Sequence, residues 1–436
     1  MNIIVAGAGH GGLVAAARLA KAGYDVTVYE MKQRDELGHD WEDRFSFDLL
    51  TELIEKDSIP DGIWRYRGDC AFISPDYQTG ITIHYNEENR QKIMWRKSLI
   101  EMLIEYAQNC GVRLNFGVKI TAPIIKGDRV CGIKTSVGDI EADLVIDAAG
   151  AFSPLRTKLP DSLGIEKMPE RGDVFYAFRA YYNKTEESKM PDIPFEVFLC
   201  HAREQGLSWC CTNPDSVDIL IGRIDPLKND MLNAHLDDFR KTHPWIGTEI
   251  IHGGNHAVIP VRRPLALMIA DGYAAVGDSA FMTTPMNGMG IDLSLNAGKL
   301  LADTVIRNVS DFSAGALWSY NRDFHILYGG KTAKNEGLKN ALLNLPGEGV
   351  DFLFKSEVIQ ASDLAGAGDN TDVGVLLKKF IRGMKKPQYF LKIIGGLIKG
   401  GMLAKALQSA PESYGKSDVL KWQEKTLSQT VKVIRK

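Results

Sequence analysis

A glycine-rich turn within the first thirty residues most constrains how this chain can fold. An apolar segment, residues 1–6, precedes Gly7-Ala8-Gly9-His10-Gly11-Gly12, and apolar residues then recur at helical spacing before a second apolar segment, residues 25–29. A strand, a G-x-G-x-x-G turn and a helix in this order are typical of a dinucleotide-binding β-α-β unit. The acid Glu30 follows the second strand, where such units bind the ribose hydroxyls of adenosine. The sequence therefore predicts a Rossmann-like fold and a dinucleotide cofactor.

The three glycines of this fingerprint have separate predicted roles. Gly7 permits the tight turn, Gly9 lets the backbone approach a pyrophosphate, and Gly12 lets the helix pack closely on the strand. The helix N-terminus then faces the phosphates. The fingerprint does not separate FAD from NAD, and a turn that binds no ligand is the alternative. The flanking strand, helix and acid favour the cofactor.

Composition limits the class of protein. The 436 residues are 44% hydrophobic and 25% charged, which is typical of a soluble globular protein with two or three domains. A formal net charge of -3 argues against a nucleic-acid partner. The six cysteines form no C-x-x-C pair and lie at no metal-ligand spacing with histidines, so we expect reduced thiols and no metal. Since the first strand begins at Asn2, we expect no signal peptide and a cytoplasmic location.

A second glycine-rich stretch, residues 274–301, resembles the ribityl-binding motif of FAD-dependent oxidoreductases of the glutathione-reductase-like superfamily. A strand ends in Gly277-Asp278, and Pro285-Met286-Asn287-Gly288-Met289-Gly290-Ile291 opens a helix. The resemblance implies that Asp278 binds the ribityl chain and that residues 288–290 lie under the flavin N1–C2=O edge. Reduced flavin carries negative charge there, which the N–H donors and positive dipole end of a helix N-terminus suit. The two motifs in this order predict FAD.

Within that superfamily, the sequence up to about residue 340 is similar to the geranylgeranyl reductase family, which shares its architecture with aromatic hydroxylases. The segment 143–156 resembles the strand–Asp-Gly–Ser–Arg segment of that family, and residues 259–260 before the Gly277-Asp278 strand also fit. Gly206-Leu-Ser-Trp209 with residues 218–222 resembles a strand pair that lines the lipid cavity. Arg96 matches the arginine that opens a helix, which implies contact with the phosphate or ribose region of FAD.

The motifs and the resemblance together predict a set of cofactor-binding residues and one substrate-binding residue, Trp209. No catalytic residue is identified. The predicted cofactor-binding residues are Gly7, Ala8, Gly9, Gly11, Gly12, Glu30, Met31, Arg96, Val118, Ala149, Gly150, Gly277, Asp278, Pro285, Gly288, Met289, Gly290 and Ile291.

Three positions depart from the patterns of these families. Ala149 stands where the hydroxylases carry the aspartate of Asp-Gly, which favours the reductase interpretation. Residues 210–213 replace an aromatic residue and proline of the reductases, so the lipid specificity stays open. The loop around His39-Asp40-Trp41 lacks the cysteine that archaeal reductases place near the flavin, so the proton donor is not identified.

The predicted fold class is α/β, with a Rossmann-like domain, an inserted antiparallel sheet and a helical C-terminal region. Residues 1–165 and 260–310 are predicted to form the FAD-binding domain, interleaved with strands in 64–86. Residues 166–259 alternate apolar and polar positions, which indicates an antiparallel substrate domain. Residues 311–436 are predicted to be helical.

These features predict an FAD-dependent reductase that saturates carbon–carbon double bonds of an isoprenoid or other hydrophobic substrate by hydride transfer from reduced flavin. The chain has no second dinucleotide fingerprint, so we expect electrons from transiently bound NAD(P)H or from a ferredoxin-like protein. Two alternatives stay open: an FAD-dependent monooxygenase that hydroxylates a small aromatic substrate, and a lipid carrier that keeps FAD as a structural element.

The stretch 389–407 is apolar and glycine-rich, with Lys385, Lys392 and Lys399 repeating along one side. These lysines argue against a transmembrane span, which needs about 20 residues with few charges. They favour an amphipathic helix over a lipid-filled cavity or at the inner face of the membrane. An ordinary surface helix with an apolar stripe is the alternative.

Overall fold

The structure is a computed structural model that describes residues 1–88, 90–185, 190–364, 373–430 and 432–434. The strands are β1 Asn2–Ala6, β2 Asp25–Tyr29, β3 Glu42–Arg44, β4 Trp64–Tyr66, β5 Cys70–Ile73, β6 Gly80–Ile83, β7 Lys92–Trp95, β8 Arg113–Asn115, β9 Ile120–Lys126, β10 Arg129–Thr135, β11 Gly138–Glu141, β12 Leu144–Asp147, β13 Val174–Lys184, β14 Phe195–Leu199, β15 Gly206–Thr212, β16 Ser216–Arg223, β17 Ile246–Pro260, β18 Ile269–Ala270 and β19 Tyr273–Ala275. The α-helices are α1 His10–Lys21, α2 Phe47–Leu53, α3 Arg96–Asn109, α4 Asn229–Thr242, α5 Ile291–Arg307, α6 Ala314–Phe324, α7 Gly330–Leu343, α8 Gly347–Lys355, α9 Ala361–Leu364, α10 Val373–Gly383, α11 Pro387–Gln408 and α12 Lys416–Leu427.

A six-stranded sheet in the order β18-β19-β12-β1-β2-β8 carries the glycine-rich turn. Its strands are parallel except for β18, and β1 lies between β2 and β12, with Ile3 opposite Val26 and Leu144. A central parallel strand is covered on both faces, which is why Ile3, Ile4 and Val5 are all buried apolar residues. The predicted Rossmann-like fold is confirmed.

A seven-stranded sheet, β17-β13-β16-β15-β14-β5-β6, forms the second layer. Alternate residues face opposite sides: Phe178 and Ala180 of β13 pack in one cluster with Phe239 of α4, whereas Ala177 and Arg179 line a cavity on the other side. The strands β5 and β6, from the interval 64–86, complete this sheet rather than the parallel one. The domain boundaries stay a prediction, but the antiparallel insert is confirmed.

The C-terminal helices pack beside the cavity, and α11 lies against α7. A Cβ atom added at Gly396 would lie 2.5 Å from the Ala341 Cβ and 2.6 Å from the Gly337 carbonyl oxygen. Two of the four glycines of α11, Gly396 and Gly400, therefore permit a close helix crossing, whereas Gly395 and Gly401 face open space. None of the helices within the described ranges has the length and apolar character needed to cross a bilayer.

Candidate functional site: two joined cavities

Two cavities meet at the N-terminus of α1. The smaller, about 280 Å³, lies beside β1 and β2, and the larger, about 840 Å³, extends between the seven-stranded sheet and α7. Both are lined by Gly9, His10, Arg96 and Gly150. The glycine-rich turn is therefore the wall that the two cavities share.

The smaller cavity is organised by the turn after β1. Gly7 has a φ of +93°, and a Cβ there would lie 2.7 Å from the Ala148 carbonyl oxygen, so only glycine fits the turn. The Glu30 carboxylate accepts hydrogen bonds from the backbone N–H of Ala8, at 2.8 Å, and of Lys32, at 2.9 Å. These bonds hold the carboxylate at the cavity wall, in position for ribose hydroxyls.

Gly11 and Gly12 have structural roles within α1. A Cβ at Gly12 would lie 2.6 Å from the Ala148 Cβ, and Gly12 lines neither cavity. A Cβ at Gly11 would lie 2.4 Å from the Ser294 carbonyl oxygen, because α1 crosses α5 closely at this point. Gly298 of α5 completes the crossing, since a Cβ there would lie 2.2 Å from the Gly11 carbonyl oxygen. Gly298 was not among the predicted residues. A glycine within a predicted helix was the signal that could have identified it.

The larger cavity begins at the loop between β19 and α5. Gly277 and Gly288 each have a φ of +68°, and Gly290 is the N-cap of α5, so the loop backbone lies against the cavity. Asp278 lines this end, and burial raises the pKa of its carboxyl group. In the described part of the chain, no group donates a hydrogen bond to that carboxyl group. Pro285 is buried and lines neither cavity.

These features fit an FAD molecule across both cavities. Glycines leave open the space beside the shared wall, and Asp278 supplies a half-buried acceptor that hydroxyl groups of a ribityl chain would satisfy. His10 at the start of α1 has a buried Nε2 with no partner from the described residues. Burial, and secondarily the charge of Arg96, lowers the pKa of His10 to about 3, so its imidazole is neutral near pH 7.

Charged side chains form part of the wall of the larger cavity, among them Asp43, Arg96 and Arg179. The Arg96 guanidinium lies 2.6 Å from the Asp43 carboxylate, and Arg179 lies 2.7 Å from Asp218 and 3.3 Å from Asp43. Burial opposes ionisation of Asp43, but Arg96 and Arg179 hold the pKa of its carboxyl group below the usual value. The ion pair with Asp43 therefore holds the Arg96 guanidinium where the two cavities meet.

The rest of the larger cavity is mostly apolar. Its lining includes Phe72, Val197, Trp209 and Leu220 from the sheet, with Leu338 and Leu342 from α7. The Trp209 ring lies edge-on to Phe195, 5.9 Å between centroids, and its indole Nε1 is buried without a partner from the described residues. This region can enclose a long hydrophobic molecule that reaches the Asp278 end.

The structure brings most of the predicted cofactor-binding residues together. Ala8, Glu30, Met31, Val118 and Ala149 line the smaller cavity with Gly7. Gly11, Gly277, Asp278, Gly288, Met289, Gly290 and Ile291 line the larger one. Gly9, Arg96 and Gly150 line both, and only Gly12 and Pro285 among the predicted set line neither.

Comparison with known proteins identifies relatives of this chain. A model of the NAD(P)-binding Rossmann-like domain matches residues 5–44. A digeranylgeranylglycerophospholipid reductase of Sulfolobus acidocaldarius is 24% identical over 420 residues, covering 90% of this chain and 89% of the relative. The chain is an FAD-dependent oxidoreductase related to these reductases. The predicted resemblance and the predicted cofactor are thereby confirmed.

Solved structures of similar fold include a geranylgeranyl bacteriochlorophyll reductase-like protein of Thermoplasma acidophilum. It has a TM-score of 0.71 and 19% identity, covering 91% of this oxidoreductase and 98% of that protein. PqsL, a probable FAD-dependent monooxygenase of Pseudomonas aeruginosa, has a TM-score of 0.57 and 16% identity, covering 79% and 97%. At such identities both structures show that this oxidoreductase shares their fold.

Sequence reasoning missed the contribution of α7 to the cavity of this oxidoreductase. Leu338 and Leu342 lie one helical turn apart on the cavity face of α7, and Lys339 is buried beside them. The Lys339 ammonium donates to the carbonyl oxygens of Gly172 and Val261, each at 2.6 Å. The apolar spacing of α7 could have predicted a buried face, but not the cavity behind it.

Proposed function

We propose that this oxidoreductase reduces carbon–carbon double bonds in an isoprenoid lipid. The observation that supports it is one largely apolar cavity that starts at the Asp278 loop and continues to Trp209 and Leu342. Its volume of about 840 Å³ lies toward the upper end of the roughly 300–1,000 Å³ typical of ligand sites. A flexible apolar chain suits such a lining, because burial of its methylene groups stabilises the complex.

FAD, when bound, would supply the hydride chemistry. The residues of the chain bind and orient the partners: Glu30 and Gly9 at the adenosine end, and Asp278 with the backbone of residues 288–290 at the ribityl end. The α5 N-terminus offers positive potential where negative charge develops during reduction. The apolar walls exclude water from the double bond. We further propose that the predicted cofactor-binding residues contact FAD, apart from Gly12 and Pro285, which support the turn and the loop.

We also propose that the electrons come from outside the chain, from NAD(P)H or a ferredoxin-like protein. The sequence has no second dinucleotide fingerprint that could hold NAD(P)H as a resident cofactor beside FAD. The donor would therefore act before the lipid enters or reach the cofactor from the protein surface.

Peripheral contact with a membrane is part of this proposal. The surface of α10 and α11 exposes a group of large apolar side chains interspersed with lysines. These apolar residues are Leu377, Phe380, Ile381, Met384, Leu391, Leu397, Ile398 and Met402. Lys392 and Lys399 are exposed between them and have no carboxylate partner within the described part of the chain. Exposed apolar patches mark sites of association, and lysines would meet anionic headgroups.

Single-turnover reduction tests the proposed function. The FAD-loaded protein, reduced with dithionite without oxygen, is mixed with a lipid that carries unsaturated C20 isoprenoid chains. We expect the flavin absorbance to return to the oxidised form while mass spectrometry detects two added hydrogens per double bond. The fully saturated lipid is the control and should leave the flavin reduced.

The same experiment separates the alternatives. If the unsaturated lipid leaves the flavin reduced, whereas oxygen and a small aromatic compound give a hydroxylated product, the protein is a monooxygenase. If the lipid binds but the flavin never exchanges electrons with any donor or substrate, the protein is a lipid carrier. Either result would reject the reductase proposal.

A further inference from the structure

His10 is the first residue of α1 and lies where the two cavities meet, since it lines both of them. The residue is half-buried, its Nε2 is buried, and neither ring nitrogen forms a hydrogen bond with a described residue. The histidines buried elsewhere in the described chain each have a hydrogen-bond partner: His201, His235, His243 and His325. An unbonded imidazole in a cavity wall therefore indicates a polar ligand.

The protein around His10 opposes a positive charge on its ring. Burial lowers the pKa of His10 to about 3, and the charge of Arg96 from α3 acts in the same direction. The neighbouring His39 also lowers the pKa, whereas Asp43 from β3 partly counters these effects. The positive end of the α1 dipole disfavours a cation at the first residue of the helix as well. The other carboxyl groups that line the cavities form no hydrogen bond with the ring; they are Glu30, Asp278, Asp292 and Asp363.

An anion beside the ring reverses this balance. Gly9 directly precedes His10, and the backbone of Gly9 is where we place the close approach of the FAD pyrophosphate. The free N–H groups at the N-terminus of α1 favour an anion at the same place. A neighbouring negative charge stabilises the protonated imidazole and raises its pKa. The ring that the free protein keeps neutral is therefore placed to become charged beside the pyrophosphate.

We propose that His10 takes up a proton from the solvent as FAD binds and then donates a charge-assisted hydrogen bond to a pyrophosphate oxygen. The protein therefore retains its cofactor more tightly at lower pH. Because the pKa of His10 is then higher in the complex than in the free protein, binding strengthens as the pH falls below the pKa of the complex. Above that pKa the proton contributes nothing. This inference rests on the proposed placement of FAD across the two cavities and is independent of the substrate.

Titration of FAD into the full-length, FAD-depleted protein at several pH values tests the inference. If the pyrophosphate returns the pKa of His10 to the ordinary value of about 6.5, the dissociation constant should fall about tenfold from pH 8 to about pH 5.5. Flavin fluorescence gives this constant. Calorimetry in two buffers with different ionisation enthalpies gives the number of protons bound with FAD. We expect proton uptake near pH 6 and almost none near pH 8.

His10→Gln keeps a hydrogen-bond donor of similar size but cannot take up a proton. We expect its dissociation constant for FAD to match that of the wild type within about twofold at pH 8, to be about tenfold higher at pH 5.5, and to change little with pH. The matched control is His84→Gln, because His84 is exposed, pairs with Asp69 at 2.7 Å and lines neither cavity. This control should keep the wild-type pH dependence. The melting temperature of each variant at each pH shows that it is folded.

Three results would overturn the inference. The first is a dissociation constant of the wild type that stays the same at every pH, or a His10→Gln variant with the wild-type pH dependence. The second concerns His39, which also lines both cavities and whose ring stacks on Trp41 with 4.0 Å between centroids. If His39→Gln removes the pH dependence and His10→Gln does not, the proton binds to His39 instead.

The third result is failure of the FAD placement itself, which is recognised separately because Gly9→Val would then retain FAD at every pH. Loss of the pH dependence alone leaves that placement standing. The reduction of double bonds is tested by single turnover of the FAD-loaded protein, so its outcome is distinct from all three.

Discussion

The backbone of one glycine-rich turn organises the smaller cavity, whereas most of the lining of the larger one comes from side chains of distant segments. Around the smaller cavity, the turn at Gly7 and the N–H groups of Ala8 and Lys32 fix the Glu30 carboxylate. Around the larger cavity, Phe72, Trp209 and Leu342 come from strands and a helix widely separated in sequence. We therefore propose that the first region binds the cofactor through close approach of the backbone, and that the second binds the substrate through the shape and chemistry of its lining.

This difference indicates how each region tolerates change. An added side chain at Gly7 or Gly9 would meet the carbonyl oxygen of Ala148, a backbone atom that cannot move aside as the end of a flexible side chain can. A change in the lining of the larger cavity alters its volume and leaves the sheet and helices in place. We therefore expect mutations in the first region to abolish cofactor binding and those in the second to alter the substrate.

Gly9→Val gives the largest expected effect. Gly9 has extended φ and ψ angles of -69° and 154°, which valine adopts readily, so the substitution tests space rather than backbone strain. A Cβ there lies 3.0 Å from the Ala148 carbonyl oxygen, and the branched methyl groups would occupy the wall shared by the cavities. We expect colourless protein without FAD, measured as the ratio of flavin to protein absorbance.

Gly401→Ala is the control for Gly9→Val, because its added Cβ meets no atom within 4 Å. This variant should keep full FAD content and gain stability, since alanine is favoured over glycine in a helix by roughly 1 kcal/mol. Stoichiometric FAD in a folded Gly9→Val protein would show that the smaller cavity does not depend on close backbone approach.

Asp278→Ala should have the next largest effect. It removes an acceptor for hydrogen bonds that are worth about 1.5–3 kcal/mol when one partner is charged. The dissociation constant for FAD, measured by fluorescence titration, should rise roughly tenfold to a hundredfold. Asp278→Asn keeps one acceptor oxygen and should lose less. If the constant is the same for the wild type and both variants, Asp278 only shapes the turn.

Trp209→Ala tests the other region, the lining of the larger cavity. Because the indole faces the cavity, we expect kcat/KM for an isoprenoid substrate to fall about tenfold from the lost apolar contact. The free energy of unfolding should fall by less than in Trp318→Ala. Trp318 is 2% exposed, and such a core truncation costs about 3–5 kcal/mol. Normal turnover with a stability loss equal to that of Trp318→Ala would assign Trp209 to the core instead.

The smallest expected effect concerns the surface of α10 and α11. Each lysine near an anionic bilayer contributes about 1 kcal/mol at low salt. Changing Lys392 and Lys399 to glutamate should therefore abolish weak co-sedimentation with vesicles that contain an anionic phospholipid, and salt should do the same to the wild type. Lys56 and Lys241, exposed on other surfaces, are the control pair. If the wild-type protein fails to sediment with these vesicles at low salt, the membrane proposal is rejected.

The sequence by itself determined the nucleotide-binding region because its features are local. Each of these features is encoded within a few residues: the turn with a positive φ at Gly7, the acid Glu30 and the glycine N-cap at Gly290. The same holds for Asp278, whose place at the end of a strand follows from the pattern around it. These positions could be predicted without knowing which segments of the chain meet.

Tertiary structure alone decided the shape of the larger cavity and the charges within it. Contacts between segments far apart in sequence produce three features of this region. These are the close crossing of α1 and α5 at Gly11 and Gly298, the addition of β5 and β6 to the second sheet, and the α7 side chains that line the cavity. Arg65 and Arg67 lie two residues apart, yet among the described residues only Arg65 forms an ion pair, with Glu42. Which of two neighbouring arginines receives a carboxylate partner depends on the segments that folding brings together, and sequence spacing does not contain that information.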